Sequence, residues 1–349
     1  MSAITVKSVA LVNSVDAGIP TTSDFTIVKS TIDPETVEVP IGGLLVTILV
    51  VSADPYLRGL IRSNSAFKPD GIISGFVAGK VLKVNQVDKW VEGDLFGGNV
   101  PFSTHQILSA ASVASIWKLS EFIDESDVSA GIGILGMPGA TAFGGLCDVL
   151  RPEPGETIFV SAAAGAVGGL VASIAKTVYG LRVIGSCGGE DKVKLLQSSG
   201  HFDEVIDYKK HATAEELTNA LRTAAPKGVD MYFENVGGIH FEAALAVLND
   251  HGRVAVCGQI SEYNEAKPKP LSLYALPLIY KSHRVEGFLS SSWLSGRIGQ
   301  GKWIKDLDRW YKEGKISKHE TVTEGIENWS SAFISLFEGT NIGKVVVRV

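Results

Sequence analysis

From residue 1 to about 125 the hydrophobic positions come in short Val/Ile-rich runs, broken every few residues by Gly, Pro, Asp or Asn: "LLVTILVVSADPY", "FVAGKVLKVN" and "WVEGDLFGG". Such runs, bounded by turn formers, predict strands of a compact all-β unit. The longest apolar run, Ile41 to Val51, is interrupted by Gly42, Gly43 and Thr47. It is about 11 residues long, short of the roughly 20 that a bilayer-spanning helix needs, and reads as a buried strand.

From about Ser129 to about residue 300 the period changes, and apolar strands alternate with amphipathic helices. That alternation predicts βαβ units around a parallel sheet, giving an α/β protein. After the strand "ETIFVSA", Val167, Leu170, Val171, Ile174, Ala175 and Val178 recur at helical spacing and form one apolar stripe. A second helix is expected from Thr213, where Thr213 and Glu216 have capping-box spacing and Pro226-Lys227-Gly228 supplies the stop. "VDMYFENV" and "GRVAVCGQI" read as further central strands. The tail holds "WIKDLDRWYKEGK", helical by Leu307, Trp310 and Tyr311, then "IGKVVVRV", a strand expected to return to the first unit's sheet.

Length and composition narrow the function. At 349 residues the chain is long enough for two domains, each with its own core. Hydrophobic residues make up 45% and charged residues 20%, as in ordinary globular proteins, and the net charge of -6 offers no general attraction to nucleic acid or anionic membranes. The opening "MSAITVKSVALVNS" lacks the charged and long apolar regions of a secretory signal. The three scattered cysteines, Cys147, Cys187 and Cys257, fit a reducing, cytoplasmic setting.

Candidate chemistry centres on "VSAAAGAVGG", residues 160 to 169. It resembles a G-x-G-x-x-G loop in which Ala163 replaces the first glycine, followed by Gly165, Ala166, Val167 and Gly168. Between a strand and a striped helix, such a loop suits a dinucleotide's pyrophosphate, because free N–H groups and the positive end of the helix face the ligand. Gly165 would admit the phosphates and Gly168 would let the helix pack closely; Ala163 requires negative φ. NAD enzymes place an acid about 20 residues on. Here "RVIGS" runs instead into Cys187, Gly188 and Gly189. Lys192 can supply the positive charge for a 2'-phosphate and Tyr208 can cover the adenine or reach the phosphate, so NADP(H) is favoured, provided Glu190 and Asp191 point away; a merely solvated Lys192 is the alternative. The seven histidines form no H-x-x-x-H pair and the cysteines no C-x-x-C, so no metal is expected.

These residues carry a resemblance. "SADPYLR", "LGMPGATAF", "VSAAAGAVGGLV", "GSCGGEDKV", "FENVGG", "GRVAVCGQISEYN" and "NIGKVVV" resemble the zinc-independent medium-chain dehydrogenase/reductases, and among them the NADPH-dependent alkenal/alkenone double bond reductases. The resemblance implies a GroES-like catalytic domain (1–128 and 302–349), a Rossmann domain (129–301) and a homodimer. It places Ala163, Gly165, Ala166 and Val167 under the pyrophosphate, with Gly188, Lys192 and Tyr208 at the 2'-phosphate end. Asn235, Cys257, Gly258, Ser261, Phe288, Leu289, Asn341 and Gly343 would line the cofactor. Met137, Pro138 and Thr141 would lie near the nicotinamide, and Tyr56, Tyr263 and Ser290 beside the substrate. Gly189 stands where similar proteins often have Ser, and His105 where they can have an aromatic.

The implied reaction is hydride transfer to the β-carbon of an α,β-unsaturated aldehyde or ketone, then protonation of the enolate, without metal. Tyr263 is expected to order the nicotinamide ribose or donate to the carbonyl oxygen, and Tyr56 to act as pocket donor or wall. Two other readings stand beside it: a quinone reductase of the same superfamily, and a non-catalytic NADPH-binding protein.

Overall fold

The computed structural model describes residues 3–267, 269 and 275–349. The chain divides into two compact units, Met1–Gly136 with Glu320–Val349, and Met137–His319.

The first unit is β-rich. Its main sheet runs Glu320–Glu324, Lys344–Arg348, Leu44–Ala53, Ser74–Val84, Leu95–Pro101, Trp117–Lys118, with His105–Leu108 also pairing to Leu44–Ala53, and a separate antiparallel pair is made by Ile4–Leu11 and Phe25–Ile32. The apolar run begins as a strand only at Leu44, because Gly42 has φ +79° and turns the chain there. The C-terminal strand pairs antiparallel with Leu44–Ala53, from Val345 opposite Ala53 to Arg348 opposite Val50. A buried ion pair sits at this seam. Lys344 Nζ lies 3.2 Å from Asp54 Oδ1 and donates to the carbonyls of Ala53 and Val345 at 2.8 Å each, so the charge is both paired and hydrogen-bonded. Below it, Trp329 stacks on Phe333 and meets Phe25 and Phe102.

The second unit holds a six-stranded sheet in the order Glu204–Asp207, Arg182–Cys187, Thr157–Val160, Val229–Glu234, Leu248–Val256, Arg284–Gly287, all parallel. Numbered along the chain this is 3-2-1-4-5-6, the doubly wound Rossmann order, whose switch point lies between Thr157–Val160 and Val229–Glu234. The helix Ala166–Thr177 buries Leu170, Val171, Ile174 and Ala175 of the expected stripe. The helix Ala214–Ala224 starts at Thr213, whose hydroxyl takes the Glu216 N–H at 3.2 Å, while the Glu216 carboxylate reaches back to the Ala212 N–H at 2.6 Å rather than to Thr213.

The boundaries differ from the 128/129 and 301/302 division expected from sequence. Helix Lys302–Lys312 belongs to the second unit: it buries Trp303, Ile304, Leu307 and Trp310, and Trp310 stacks on Phe143 with ring centroids 6.1 Å apart. Tyr311 stays half-exposed, so the apolar stripe runs through Ile304 instead. The strand to which the first unit owes its discontinuity needs only the last 30 residues. Among the described residues no single helix is long and apolar enough to cross a membrane.

Candidate functional site

The carboxyl ends of five neighbouring strands in the second unit bring most of the expected residues together. Strand Thr157–Val160 is buried throughout and ends in Ser161, also buried. The chain then turns at Ala162, which takes up the left-handed φ of +48°, while Ala163 keeps a negative φ as expected. The strained position has thus moved one residue upstream of the replaced glycine.

The Ala163 methyl is fully buried, and the residue facing it is Gly185 of the next strand: a Cβ on Gly185 would stand 2.9 Å from it and 2.6 Å from the Phe202 ring. The glycine missing from the loop is therefore compensated across the strand pair. The Ala163 N–H donates to Ser186 O at 2.9 Å and fixes the loop to that strand. Gly168 cannot carry a side chain, since its Cβ would lie 2.5 Å from Ala162 O; what it packs against is the turn itself. The helix opens at Gly165 with no capping side chain, so the first-turn N–H groups of Ala166, Val167 and Gly168 remain for an anion.

Behind the loop lies a buried polar cluster that sequence reading missed. Ser161 Oγ accepts the Asn235 N–H at 2.9 Å and the Tyr232 hydroxyl at 3.1 Å, and donates to Glu234 Oε1 at 3.1 Å. The same carboxylate oxygen takes the N–H groups of Val236 at 2.6 Å and Gly237 at 2.9 Å. Burial raises the Glu234 carboxyl pKa, against the pull of those hydrogen bonds. The Asn235 amide donates to Ser161 O at 2.7 Å. This cluster ties the "VSAAAG" loop to the "ENVGG" loop across the switch point. The glutamate's place in a strand-end motif was its only signal in the sequence.

On one side of the switch point, strand Arg182–Cys187 leads into Gly188 and Gly189. Gly189 has φ +98°, a backbone conformation that strains any residue with a Cβ. Its N–H donates to Asp207 Oδ1 at 3.0 Å, and the Lys209 N–H reaches the same oxygen at 3.2 Å. A carboxylate is thus present near the second strand's end, contrary to the sequence expectation, but its Oδ1 is occupied by backbone donors. Glu190 and Asp191 are exposed, and Glu190 pairs with Lys194 at 3.3 Å. Lys192 is half-buried; burial lowers its pKa first, and nearby Lys209 lowers it further. The Tyr208 hydroxyl lies 3.0 Å from where a Gly188 Cβ would be, and its ring packs edge-on against His240 with centroids 5.0 Å apart.

On the other side, Cys257 and Gly258 donate their N–H groups to Glu234 O at 2.9 and 3.2 Å. Burial pushes the Cys257 thiol up to about 12, so it is no thiolate nucleophile at neutral pH. Ser261 donates to Val236 O at 2.6 Å, and the Tyr263 hydroxyl comes to rest against Gly258. Burial raises the Tyr263 pKa, opposed by a hydrogen bond to the Gln259 backbone, so the hydroxyl keeps its proton at neutral pH.

The other expected residues are described by their own surroundings. In the second unit, Thr141 donates to Met137 O at 2.7 Å within the helix Met137–Phe143, which includes Pro138. The Phe288 ring packs edge-on to Phe233 and Trp293, Ser290 directly precedes the short helix Ser291–Leu294 without a side-chain capping bond, and Leu289 is exposed. In the first unit, Asn341 donates to Gly343 O at 3.4 Å, and Gly343 has φ +63°. Tyr56 packs edge-on against Phe76; its hydroxyl is buried beside Asn99 without a well-formed hydrogen bond, and burial and Asp54 raise its pKa. His105 is half-buried beside the Thr104 hydroxyl, 3.3 Å from Nδ1.

A cofactor's fit is supported by the loop and its neighbours alone: an uncapped helix start, backbone turns held by buried carboxylates, and lysines beside a glycine turn. Among the described residues no three His, Cys, Asp or Glu side chains are gathered to hold a metal.

The comparisons with known proteins agree. A family model described as "Zinc-binding dehydrogenase" matches residues 166–309. The chain is 38% identical to prostaglandin reductase 1 of Bos taurus over 334 residues, covering 95% of each. It is also 38% identical to the 2-alkenal reductase (NADP(+)-dependent) of Nicotiana tabacum, covering 98% of this chain and 97% of the relative. The solved structure of CurA from Vibrio vulnificus in complex with NADPH superposes with a TM-score of 0.85 at 32% identity, covering 98% and 99% of the two chains. With its β-rich GroES-like unit and its Rossmann unit, the chain belongs to the zinc-independent medium-chain dehydrogenase/reductase family, in the double bond reductase group.

Proposed function

We propose that this protein is an NADPH-dependent reductase of the C=C bond of α,β-unsaturated aldehydes and ketones. The observation that carries the reading is near full-length similarity to enzymes of that chemistry, joined to a strand-end cluster suited to a 2'-phosphorylated dinucleotide. NADPH, when bound, supplies a hydride to the β-carbon.

The chain's own residues do the rest. The first-turn N–H groups after Gly165 hold the pyrophosphate, and Lys192 and Tyr208 hold the 2'-phosphate. The Ser161–Glu234 cluster keeps both loops in place, so their donors are oriented before the ligand arrives. Tyr263, protonated at neutral pH, orders the ribose or donates to the substrate carbonyl oxygen as negative charge develops there. The α-carbon then takes a proton from Tyr263 or from solvent. Tyr56 as substrate donor or wall, Ser290 at the substrate, and Met137, Pro138, Thr141, Phe288, Leu289, Asn341 and Gly343 at the cofactor are part of this proposal and rest on the family resemblance.

A homodimer is also part of it, supported by Arg284–Gly287, the edge strand of the sheet among the described residues, and by exposed Leu276, Ile279, Tyr280 and Leu289 near it in sequence. So is a cytoplasmic location, supported by three free cysteines. NADPH oxidation with a panel of enals, enones, quinones and allylic alcohols, with products identified, tests the function. Saturated aldehydes and ketones are expected. Turnover of quinones alone, or tight NADPH binding with no turnover, overturns it.

A further inference from the structure

Lys209 has no part in the site as drawn from sequence, yet the fold aims it at the same place as Lys192. It follows Tyr208 in the single turn Tyr208–Lys210 at the end of strand Glu204–Asp207. Its Cε would lie 2.9 Å from a Cβ on Gly188, while the Tyr208 hydroxyl would lie 3.0 Å from the same point. Two consecutive side chains therefore converge on the Gly188–Gly189 turn, and both need that turn bare. Lys192 stands in the first turn of the helix Glu190–Ser198, which opens at Gly189 of the same turn, and after burial the positive charge of Lys209 also lowers its pKa.

Neither lysine has a carboxylate partner among the described residues. The nearby acid, Asp207, gives its Oδ1 to the N–H groups of Gly189 and Lys209, so it fixes the two turns relative to each other. Glu190 faces out to Lys194. Two unpaired cations held together by a backbone clamp form an arrangement that a doubly charged anion would relieve. A phosphate monoester carries about −1.5 to −2 charge at pH 7, so it matches two lysines and leaves one short.

We propose that Lys209 is a second cation for the cofactor's 2'-phosphate and, with Lys192, sets the preference for NADP(H) over NAD(H). This inference rests on the NADP(H) reading above. Lys210, which lies on the same turn, instead lines a groove with Glu190, Asp207 and His211, and serves as a control of equal charge.

The test is calorimetric titration of the folded protein with 2',5'-ADP and with 5'-AMP, which differ only in the phosphate concerned. Lys209→Ala is expected to weaken 2',5'-ADP about tenfold, a loss typical of one charge-assisted contact, and to leave 5'-AMP within about twofold. Lys209→Arg should recover most of the loss, and Lys210→Ala should change neither. The log Kd against log salt slope for 2',5'-ADP should be shallower in Lys209→Ala. Equal weakening of both ligands would mean a damaged turn, and a Lys210→Ala effect equal to that of Lys209→Ala would mean general electrostatics; either overturns the inference, as does unchanged 2',5'-ADP affinity. If the parent protein does not distinguish 2',5'-ADP from 5'-AMP, the NADP(H) reading itself fails and takes the inference with it.

Discussion

Gly185→Ala puts a methyl group where two neighbours already stand, 2.6 Å from the Phe202 ring and 2.9 Å from the Ala163 Cβ. Carbon atoms pack at about 3.5 to 4.0 Å, so something must shift by about 1 Å. Phe202 is half-buried and its ring can swing outward, but Ala163 is fully buried in a loop fixed at its N–H to Ser186 O. Overpacking of this kind costs about 1 to 3 kcal/mol, here with the strain falling on the pyrophosphate loop. For a second unit of this size, that corresponds to a fall in Tm of roughly 2 to 10 °C. NADP+ affinity should fall as well.

Ala163→Gly supplies the control. Alone, it removes one buried methyl and frees the unfolded chain, costing roughly 1 kcal/mol. In the Gly185→Ala background it also removes one of the two clashes, so the double variant should be more stable than the sum of the single effects by at least about 0.5 kcal/mol, which is the coupling expected of side chains in contact. Thermal unfolding followed by circular dichroism and NADP+ titration of all four proteins complete the cycle. Strict additivity, or a Gly185→Ala variant unchanged in both Tm and Kd, would refute the claim that the second strand's glycine compensates for the one missing from the loop.

Other expectations follow from the same geometry. Ser161→Ala leaves the Asn235 N–H and the Tyr232 hydroxyl without their acceptor in a buried place, which should cost about 1 to 3 kcal/mol and lower Tm; an unchanged Tm would show the cluster to be dispensable. Tyr263→Phe should lower kcat, and a kcat within about twofold of the parent, under roughly half a kcal/mol of barrier, would remove the hydroxyl from catalysis. Tyr56→Phe gives up no well-formed hydrogen bond, so Tm should hold and any loss of kcat reports on the chemistry; no loss makes the residue a wall. Burial lowers the His240 pKa to about 4, below the unfolded value of about 6.5. The unfolded chain then binds a proton that the folded chain refuses, so stability is full above about pH 6.5 and falls as pH drops toward 4, by on the order of 3 kcal/mol. Urea unfolding from pH 7.5 to 4 should show a shallower fall in His240→Gln; parallel curves would refute the assignment.

Periodicity made the sheet-helix alternation legible, because apolar residues at a spacing of 3.6 or 2 can bury only one face of one element. It also made the dinucleotide loop legible, since turn, glycine and helix start are adjacent in the chain. It placed the boundary elsewhere than the two compact units do, because helix Lys302–Lys312 stacks its Trp310 on Phe143, far away in sequence.

The chain by itself determined the family and the loop, and it singled out Lys192, Tyr208 and Tyr263 as candidates, because all of these stand in short contiguous motifs. Only the tertiary structure decided that Gly185 makes room for Ala163, that Ser161 and Glu234 lock two loops together, and that Lys209 reaches the Gly188 turn beside the helix that carries Lys192. Each of these joins residues about 17 to 73 positions apart. The physical reason is that parallel strands linked by helices bring their carboxyl ends side by side however much chain lies between them, so the contacts between neighbouring strand ends carry no local signature.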